Sequence, residues 1–201
     1  MTTKNKVLQA VWLLIASSAA EAAPVWEASL SLGRASVDES FSISNQTASS
    51  VDDSGSGFAM ELGYRLDAGV LLYMGYVDMG DGSASFTTQS TASGIPDVLN
   101  QSLGEVPVLA SGITAGVSYT FFNHEAFFFN ANLGLIDWEA DISSTVNNNS
   151  ATTELDGTDL LLGASVGYTL TEQWNGFLKL QRYQLNPNNV TEFQVGLTYR
   201  F

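Results

Sequence analysis

The residues from 193 to 201 read Phe-Gln-Val-Gly-Leu-Thr-Tyr-Arg-Phe, so large apolar side chains alternate with small or polar ones. Because successive side chains of a strand point to opposite faces, this pattern predicts a strand with one strongly apolar face. The other face carries only small or polar groups, which cannot fill the core of a soluble protein. The apolar face must therefore contact either lipid or a second layer of protein.

The same alternation recurs along the chain and predicts eight strands. Short turns separate strands two and three, four and five, and six and seven, whereas long connections are predicted at 35–56, 79–106 and 139–158 and a shorter one at 185–190. Outer-membrane barrels have short periplasmic turns, long outer loops and an even strand count. The predicted fold is therefore all-β, an eight-stranded antiparallel transmembrane up-and-down β-barrel. The strands are expected near 26–32, 58–66, 70–78, 109–121, 127–135, 160–170, 174–184 and 193–201.

The first residues are typical of an export signal. Lys4 and Lys6 precede an apolar run, which ends in the small-x-small pattern Ala20-Glu21-Ala22. The run is shorter than the ~20 residues that a membrane-spanning helix needs. We therefore predict a cleaved signal peptide over 1–22 and a barrel domain over 23–201, located in the outer membrane of a Gram-negative bacterium.

Aromatic residues are concentrated near the short-turn ends of the strands, as in the interfacial girdle of a membrane barrel. A thinner girdle of Phe58, Tyr76 and Trp138 is expected at the opposite end. A soluble lipocalin-like barrel would instead turn its large residues inward and its polar residues outward. The smaller face is mostly Gly, Ser, Thr and Asn with few charges, which favours the membrane barrel.

The composition argues against several kinds of chemistry. The formal net charge is −14, which makes a nucleic-acid partner unlikely on electrostatic grounds, and the absence of cysteine excludes disulfides and thiolate chemistry. The one histidine, His124, is predicted in a short turn far from any serine of the outer rim, so no enzyme is expected. Acidic pairs at Asp52 and Asp53 and at Asp78 and Asp81 lack the full spacing of a calcium loop. We therefore expect solvated acidic loops, with no cofactor and no metal site.

The small face would line the barrel interior and place a polar network there. The charged residues expected to be buried there, and to pair with one another, are Glu27, Glu61, Arg65, Lys179, Glu192 and Arg200. Glu61 and Lys179 each lie five residues from a short-turn end, so we expect them to pair near mid-barrel. Their expected surroundings are Asn130, Asn132, Gln181 and Gln194. The interior of an eight-stranded barrel is just wide enough to be filled by side chains, which favours structural filling over a conduit. The lumen is expected to be polar apart from Phe128, Leu161 and Phe177. The predicted network comprises Glu61, Arg65, Asn130, Asn132, Lys179, Gln181 and Gln194.

Several segments carry a resemblance to a known family. Leu62-Gly-Tyr-Arg65, the run 163–171 and Val195-Gly-Leu-Thr-Tyr-Arg-Phe201 resemble the transmembrane domain of the outer-membrane protein A (OmpA) family in order and spacing. The resemblance implies a structural or surface-interaction role, with Leu197, Tyr199 and Phe201 as the insertion signal of the closing strand. It further implies a monomer in contact with outer-membrane lipid and lipopolysaccharide, the barrel-assembly machinery and periplasmic chaperones.

Two alternatives remain open at this stage. The first is a small-solute pore, although the positions that align with the family's ion-paired plug mostly do not keep its pattern. These positions are Tyr73, Gly116, Asn132 and Lys179. The second is a transporter of small apolar molecules similar to OmpW, which would need an apolar lumen and a lateral opening.

Overall fold

The computed structural model describes residues 25–38, 47–52, 54–66, 69–80, 83–87, 108–146, 149–186 and 188–201, so the predicted signal peptide is outside it. Among these residues no helix is long and apolar enough to span a membrane. The strands are β1 (Val25–Val37), β2 (Thr47–Asp52), β3 (Ser54–Arg65), β4 (Val70–Asp78), β5 (Ser83–Thr87), β6 (Ser111–His124), β7 (Phe127–Val146), β8 (Asn149–Thr169), β9 (Trp174–Tyr183) and β10 (Val190–Arg200).

Eight of these strands close into a ring. The order is β1-β3-β4-β6-β7-β8-β9-β10, and β10 returns to β1 through pairs from Glu27 opposite Arg200 to Val37 opposite Val190. Every neighbouring pair in the ring is antiparallel. In lipid each backbone N–H and C=O must find an internal partner, and closure leaves no unpaired edge. The predicted eight-stranded antiparallel barrel is confirmed.

The two remaining strands extend the sheet at the end opposite the short turns. β5 pairs in parallel with the last residues of β7, from Ala84 opposite Ser144 to Phe86 opposite Val146. β2 then pairs antiparallel with β5. Parts of the connections predicted at 35–56 and 79–106 are therefore strands.

The prediction of a long loop over 139–158 is wrong. β7 continues to Val146 and β8 begins at Asn149, and the two strands stay in register along this whole length. The reason is that the two faces of the hairpin change their surroundings along its length. Beyond Leu135 the outward residues Asp137 and Glu139 are exposed and charged, whereas the inward residue Ile136 is buried. The alternation continues, but the apolar residues now point inward, as they do in a soluble barrel.

The lower part of the wall, which is the part nearest the short turns, carries its large apolar residues on the outside. Leu30, Leu32 and Phe193 expose 56%, 65% and 52% of their surface, while Glu27 and Gln194 on the opposite face are buried. An exposed apolar band of this kind suits contact with hydrocarbon. Near the short turns, aromatic rings form direct cross-strand contacts, with ring centroids 5.1 Å apart for Trp26 and Tyr64 and 4.9 Å apart for Trp174 and Tyr199.

Trp138 does not belong to the opposite girdle, which corrects that expectation. It is only 4% exposed, and its indole N–H donates to Asp159 Oδ2 over 2.8 Å inside the barrel. Its position follows from parity, since Trp138 is an odd number of residues from the lipid-facing Leu135. Phe58 and Tyr76 do lie on the outside, with ring centroids 6.0 Å apart.

Glycines on the inner face make room for large side chains. Tyr73, Gly116 and Gly134 lie opposite one another on three adjacent strands, and the tyrosine side chain extends across both glycines. A Cβ atom added at Gly116 would lie 2.7 Å from Tyr73 Oη and would also press on the backbone oxygen of Leu133. The backbone cannot yield here without breaking sheet pairing.

We expect Gly116→Val to destabilise the barrel by about 1–3 kcal/mol, because the added methyl groups overpack the interior. The matched control is Gly176→Val on the lipid face, where an added Cβ would meet no atom closer than 3.9 Å. Urea titration of the two variants in lipid vesicles, read by heat-modifiable gel migration, measures the difference. Equal stability of the two variants would show that Tyr73 does not occupy the space above Gly116.

Candidate functional site

The inner face of the barrel carries charged residues in separate groups, of which the first lies near the short turns. Glu27 is buried and accepts two hydrogen bonds from Arg65, at 2.6 Å from Nε and 3.1 Å from Nη2. Arg200, which is paired opposite Glu27 across the β1–β10 seam, donates from Nε over 3.1 Å. One carboxylate thus holds two guanidinium groups and links three adjacent strands by charge-assisted bonds.

The second group is a single ion pair at mid-barrel. Lys179 Nζ lies 2.7 Å from both carboxylate oxygens of Glu61, across the lumen from β9 to β3. The two side chains are 8% and 17% exposed, so the pair is largely withdrawn from water. The ammonium also lies 5.4 Å from the centre of the Phe177 ring, a geometry that favours a cation–π contact.

The third group surrounds Glu192, which has no measurable exposure. Its Oε2 accepts hydrogen bonds from Gln194 Nε2 over 2.8 Å and from the Tyr183 hydroxyl over 3.0 Å. The same hydroxyl lies 3.1 Å from Gln181 Oε1, and Ser31 Oγ donates to Gln194 Oε1 over 3.4 Å. In the described part of the chain, the other carboxylate oxygen of Glu192 has no hydrogen-bond partner.

The predicted network residues are thus divided among neighbouring groups. Glu61 and Lys179 meet each other, Arg65 meets Glu27, and Gln181 and Gln194 join Tyr183 and Glu192. Asn130 accepts from Thr120 Oγ1 over 2.8 Å and donates to Ser165 Oγ over 3.2 Å. Asn132 is buried, and its amide nitrogen has no partner among the described residues.

Tyr183 is a central network member that the sequence reasoning missed. It lies on β9 at the same parity as Lys179 and Gln181, so alternation alone would have placed it inside the barrel. Its hydroxyl joins the polar group around Glu192, while its ring packs with apolar residues farther up the lumen.

Polar side chains enclose a cavity of about 50 Å³ in the half of the lumen nearest the short turns. Its lining includes Glu61, Lys179, Asn130 and Asn132, and space of this size holds about four water molecules. A wide depression at the short-turn end shares Arg65, Phe128 and Arg200 with that lining. The lower half of the interior is therefore polar and lies next to the mouth at the short-turn end.

The upper half of the interior is apolar, so the expectation of a lumen that is polar apart from Phe128, Leu161 and Phe177 is wrong. Met79 and Ile136 are fully buried there, and residues 108–110, which precede β6, are buried with them. The predicted strand that corresponds to β7 ends at residue 135. The inward-facing residues beyond Leu135 were therefore not identified from the sequence. The apolar cluster consists of Ala35, Val37, Ala59, Val77, Met79, Val108, Leu109, Ala110, Ile136, Trp138, Ala140, Leu161, Tyr183, Leu185 and Val190.

The outer surface above the lipid-facing band is acidic on the β7–β8 side. Glu139 lies directly opposite Asp156, and Asp141 directly opposite Glu154, all four with exposed side chains. Like charges in opposed positions destabilise a sheet, so the pairing here is maintained by the rest of the hairpin.

The described residues bring no catalytic or metal-binding constellation together. His124 is exposed beside the short turn and stacks on Phe122 at 6.2 Å between ring centres. Among the described residues no three His, Cys, Asp or Glu side chains are placed to hold a metal ion. Of the acidic pairs, Asp53 and Asp81 are not described, and the Asp78 carboxylate accepts a hydrogen bond from the backbone of Gly80 over 2.8 Å.

Solved structures with similar folds include bacterial outer-membrane proteins. OprG from Pseudomonas aeruginosa superposes with a TM-score of 0.50 at 12% identity, covering 89% of this chain and 96% of that one. Ail from Yersinia pestis gives a TM-score of 0.49 at 14% identity, covering 89% and 97%. The N-terminal β-barrel domain of OprF from Pseudomonas aeruginosa gives 0.48 at 14% identity, covering 86% and 97%. At these identities the likeness concerns the fold alone.

The sequence itself matches a family across nearly its whole length. No curated protein gives a significant match to the chain. The family model of the outer membrane protein beta-barrel domain, however, matches residues 7–201. Together with the closed ring of eight strands and the exposed apolar band, this match shows that the chain belongs to the outer membrane protein beta-barrel domain family.

Proposed function

We propose that this protein is a closed structural barrel of the outer membrane whose outer rim makes surface contacts. The observation that carries the proposal is the filled interior. The polar groups around Lys179 occupy the lower half, and the apolar cluster around Ile136 occupies the upper half. An ion would have to cross the apolar half without hydration, which carries a large desolvation penalty. The barrel therefore works as a membrane-embedded support rather than as a channel.

The rim supplies the second part of the proposal. Asp137, Glu139 and Asp141 on β7 face outward, as do Glu154 and Asp156 on β8. Such a single-signed surface attracts cationic groups and repels polyanions. We propose that surface contacts on this side involve positively charged partners.

Planar-bilayer recording of the refolded mature chain tests the closed barrel. We expect no discrete openings from the wild type, and none from Lys179→Ala/Glu61→Ala, because the apolar cluster still blocks the upper half. A variant that also carries Trp138→Ala and Met79→Ala opens both halves and should conduct. Heat-modifiable migration must first show that each variant is folded. Discrete openings from the wild type would contradict the closed barrel.

The apolar upper half favours a second candidate, the transport of small apolar molecules. Against it, each described wall strand is hydrogen-bonded to both neighbours in the ring, and β8 keeps its β9 partner up to Leu161, a member of the cluster. Binding of a fluorescent apolar probe, quenched by a label at the outer rim, separates the two. Saturable binding that Ile136→Phe abolishes would support transport, whereas binding that follows only the lipid content would support the structural barrel.

We extend the proposal to the insertion of the barrel into the membrane and to its oligomeric state. The outward residues Leu197, Tyr199 and Phe201 of the closing strand would contact the barrel-assembly machinery after periplasmic chaperones deliver the chain, and the barrel would remain a monomer. These side chains are at least partly exposed on the lipid face, where such a contact is sterically open before insertion.

A further inference from the structure

The basic residues of the described barrel are distributed unevenly between the inside and the outside. Arg65, Lys179 and Arg200 point inward and form ion pairs with buried carboxylates. Arg34 and Arg182 point outward and are exposed. We propose that Arg34 and Arg182 together bind a phosphate-bearing headgroup of an outer-leaflet lipid. This inference deepens the proposed function and rests on it for the side of the membrane that the two arginines face.

The two arginines occupy the same part of the wall, on the strands that flank β10. Arg34 of β1 pairs with Phe193 of β10, and Arg182 of β9 pairs with Thr191, two residues farther along. Two strand spacings and two residues along the strand place their Cα atoms about 12 Å apart. Both side chains project from the same outer face, so one large headgroup can contact both.

Their height matches the boundary between hydrocarbon and headgroups. The outward residue directly before Arg34 on its face is Leu32, which is 65% exposed, and the one before Arg182 is Leu180, which is 52% exposed. On β10, Phe193 is 52% exposed and is paired with Arg34 on one side and with Leu180 on the other, and Val195, 54% exposed, is paired with Leu32. Acyl chains that cover this apolar stripe would bring their phosphates level with the guanidinium groups.

The local contacts leave both guanidinium groups able to donate hydrogen bonds to a phosphate. Arg34 Nη2 donates to Ser54 Oγ, a neutral acceptor, over 3.0 Å. Arg182 lies 3.3 Å from Asp38 Oδ2, but its side chain remains 54% exposed. The Thr191 hydroxyl donates to the same Asp38 oxygen over 3.0 Å, which fixes the carboxylate and leaves the other edges of the guanidinium free to turn outward. Guanidinium matches phosphate geometry through paired N–H donors.

Elsewhere on the described rim, outward carboxylates repel anions. On β4 and β7 the first outward position above the apolar band carries Asp78 and Asp137. On β8, Asp156 lies two outward positions above Leu160, so a phosphate is repelled along this side. Among the described residues the rim is therefore polarised, with its outward cations on the β1–β10–β9 side. A lipid with more than one phosphate and several acyl chains, such as diphosphoryl lipid A, fits both the two cations and the apolar stripe beneath them.

The test compares the full-length mature chain with Arg34→Gln/Arg182→Gln. Both are refolded into phosphatidylcholine vesicles that contain a minor fraction of diphosphoryl lipid A, extracted in mild detergent, and assayed for retained lipid A by native mass spectrometry. We expect the double variant to retain at least about tenfold less lipid A, since each charge-assisted contact is worth more than a neutral one. The matched control is Asp137→Asn/Asp156→Asn on the opposite side, which should retain as much as the wild type.

A competition experiment shows whether the site binds the headgroup of a lipid or any free phosphate. Excess inorganic phosphate should not displace the retained lipid, because it lacks acyl chains for the apolar stripe. Displacement by inorganic phosphate, retention by the double variant, or no retention by the wild type would each overturn the inference. Bilayer conductance is recorded on the same samples. A silent barrel that retains no lipid A refutes the lipid site alone, whereas a conducting barrel refutes the closed structural barrel.

Discussion

Lys179→Met is expected to destabilise the barrel by about 3–5 kcal/mol, because it leaves the Glu61 carboxylate buried without its cation. Lys179 and Glu61 are 8% and 17% exposed, and Lys179 Nζ contacts both Glu61 oxygens at 2.7 Å. Methionine keeps most of the side-chain volume, so the loss reports on charge rather than on a cavity. The urea midpoint of the variant in lipid vesicles, read by heat-modifiable migration, measures it.

Two further variants show whether the loss belongs to the pair. Lys179→Met/Glu61→Gln removes the uncompensated charge and should recover most of the stability. Arg182→Met breaks an ion pair in which the side chains are 54% and 29% exposed, and should cost no more than about 1 kcal/mol. If Lys179→Met were as stable as the wild type, the ion pair would make no net contribution to the fold.

Trp138→Ala is expected to cost a similar amount, about 3–5 kcal/mol, because it empties part of the apolar cluster. The indole ring packs directly over Gly157, where an added Cβ would meet the ring atoms at 3.0 Å. The substitution also removes the hydrogen-bond donor of Asp159 Oδ2, which leaves that carboxylate without the 2.8 Å contact. The same urea titration gives the free energy of unfolding.

Trp174→Ala is the matched control, since Trp174 faces lipid and is 43% exposed. Its loss should cost less than that of Trp138. Quenching by brominated lipid separates the two positions directly. Fluorescence from a variant with Trp138 as its sole tryptophan should resist quenching, whereas fluorescence from Trp174 alone should be quenched. Strong quenching of Trp138 would show that its side chain faces lipid and not the lumen.

The lipid-spanning part of the fold could be predicted from sequence because each strand there separates two distinct solvents. Leu197 faces hydrocarbon and Thr198 faces the lumen, so the alternation is strong and unambiguous. Above the membrane the same strands separate water from an apolar lumen. Asp137 then faces out and Ile136 faces in, which reverses the pattern. A search for outward apolar residues stops at that reversal, and the extension of β7 and β8 was therefore missed.

The interior charges could be predicted as a set, but their partners only in part. Parity identifies Glu27 and Arg200 as inward-facing, yet their contact depends on the register of the first strand against the last, which no local pattern specifies. Glu61 and Lys179 meet because equal distances from the short turns give equal depth across the lumen. Gln181 and Gln194 were assigned to that pair because sequence spacing does not show how depth changes around tilted strands.

The seam between β1 and β10 also bears on the timing of folding. It joins residues 27–37 to residues 190–200, so β1 waits for nearly the whole chain before its second edge is paired. Contacts of such long sequence separation form slowly. Until then the sheet carries two open edges, which are templates for intermolecular association. The lifetime of this aggregation-prone species is therefore set by the arrival of the last strand, and slowing that arrival should lower the yield of barrel without changing its final stability.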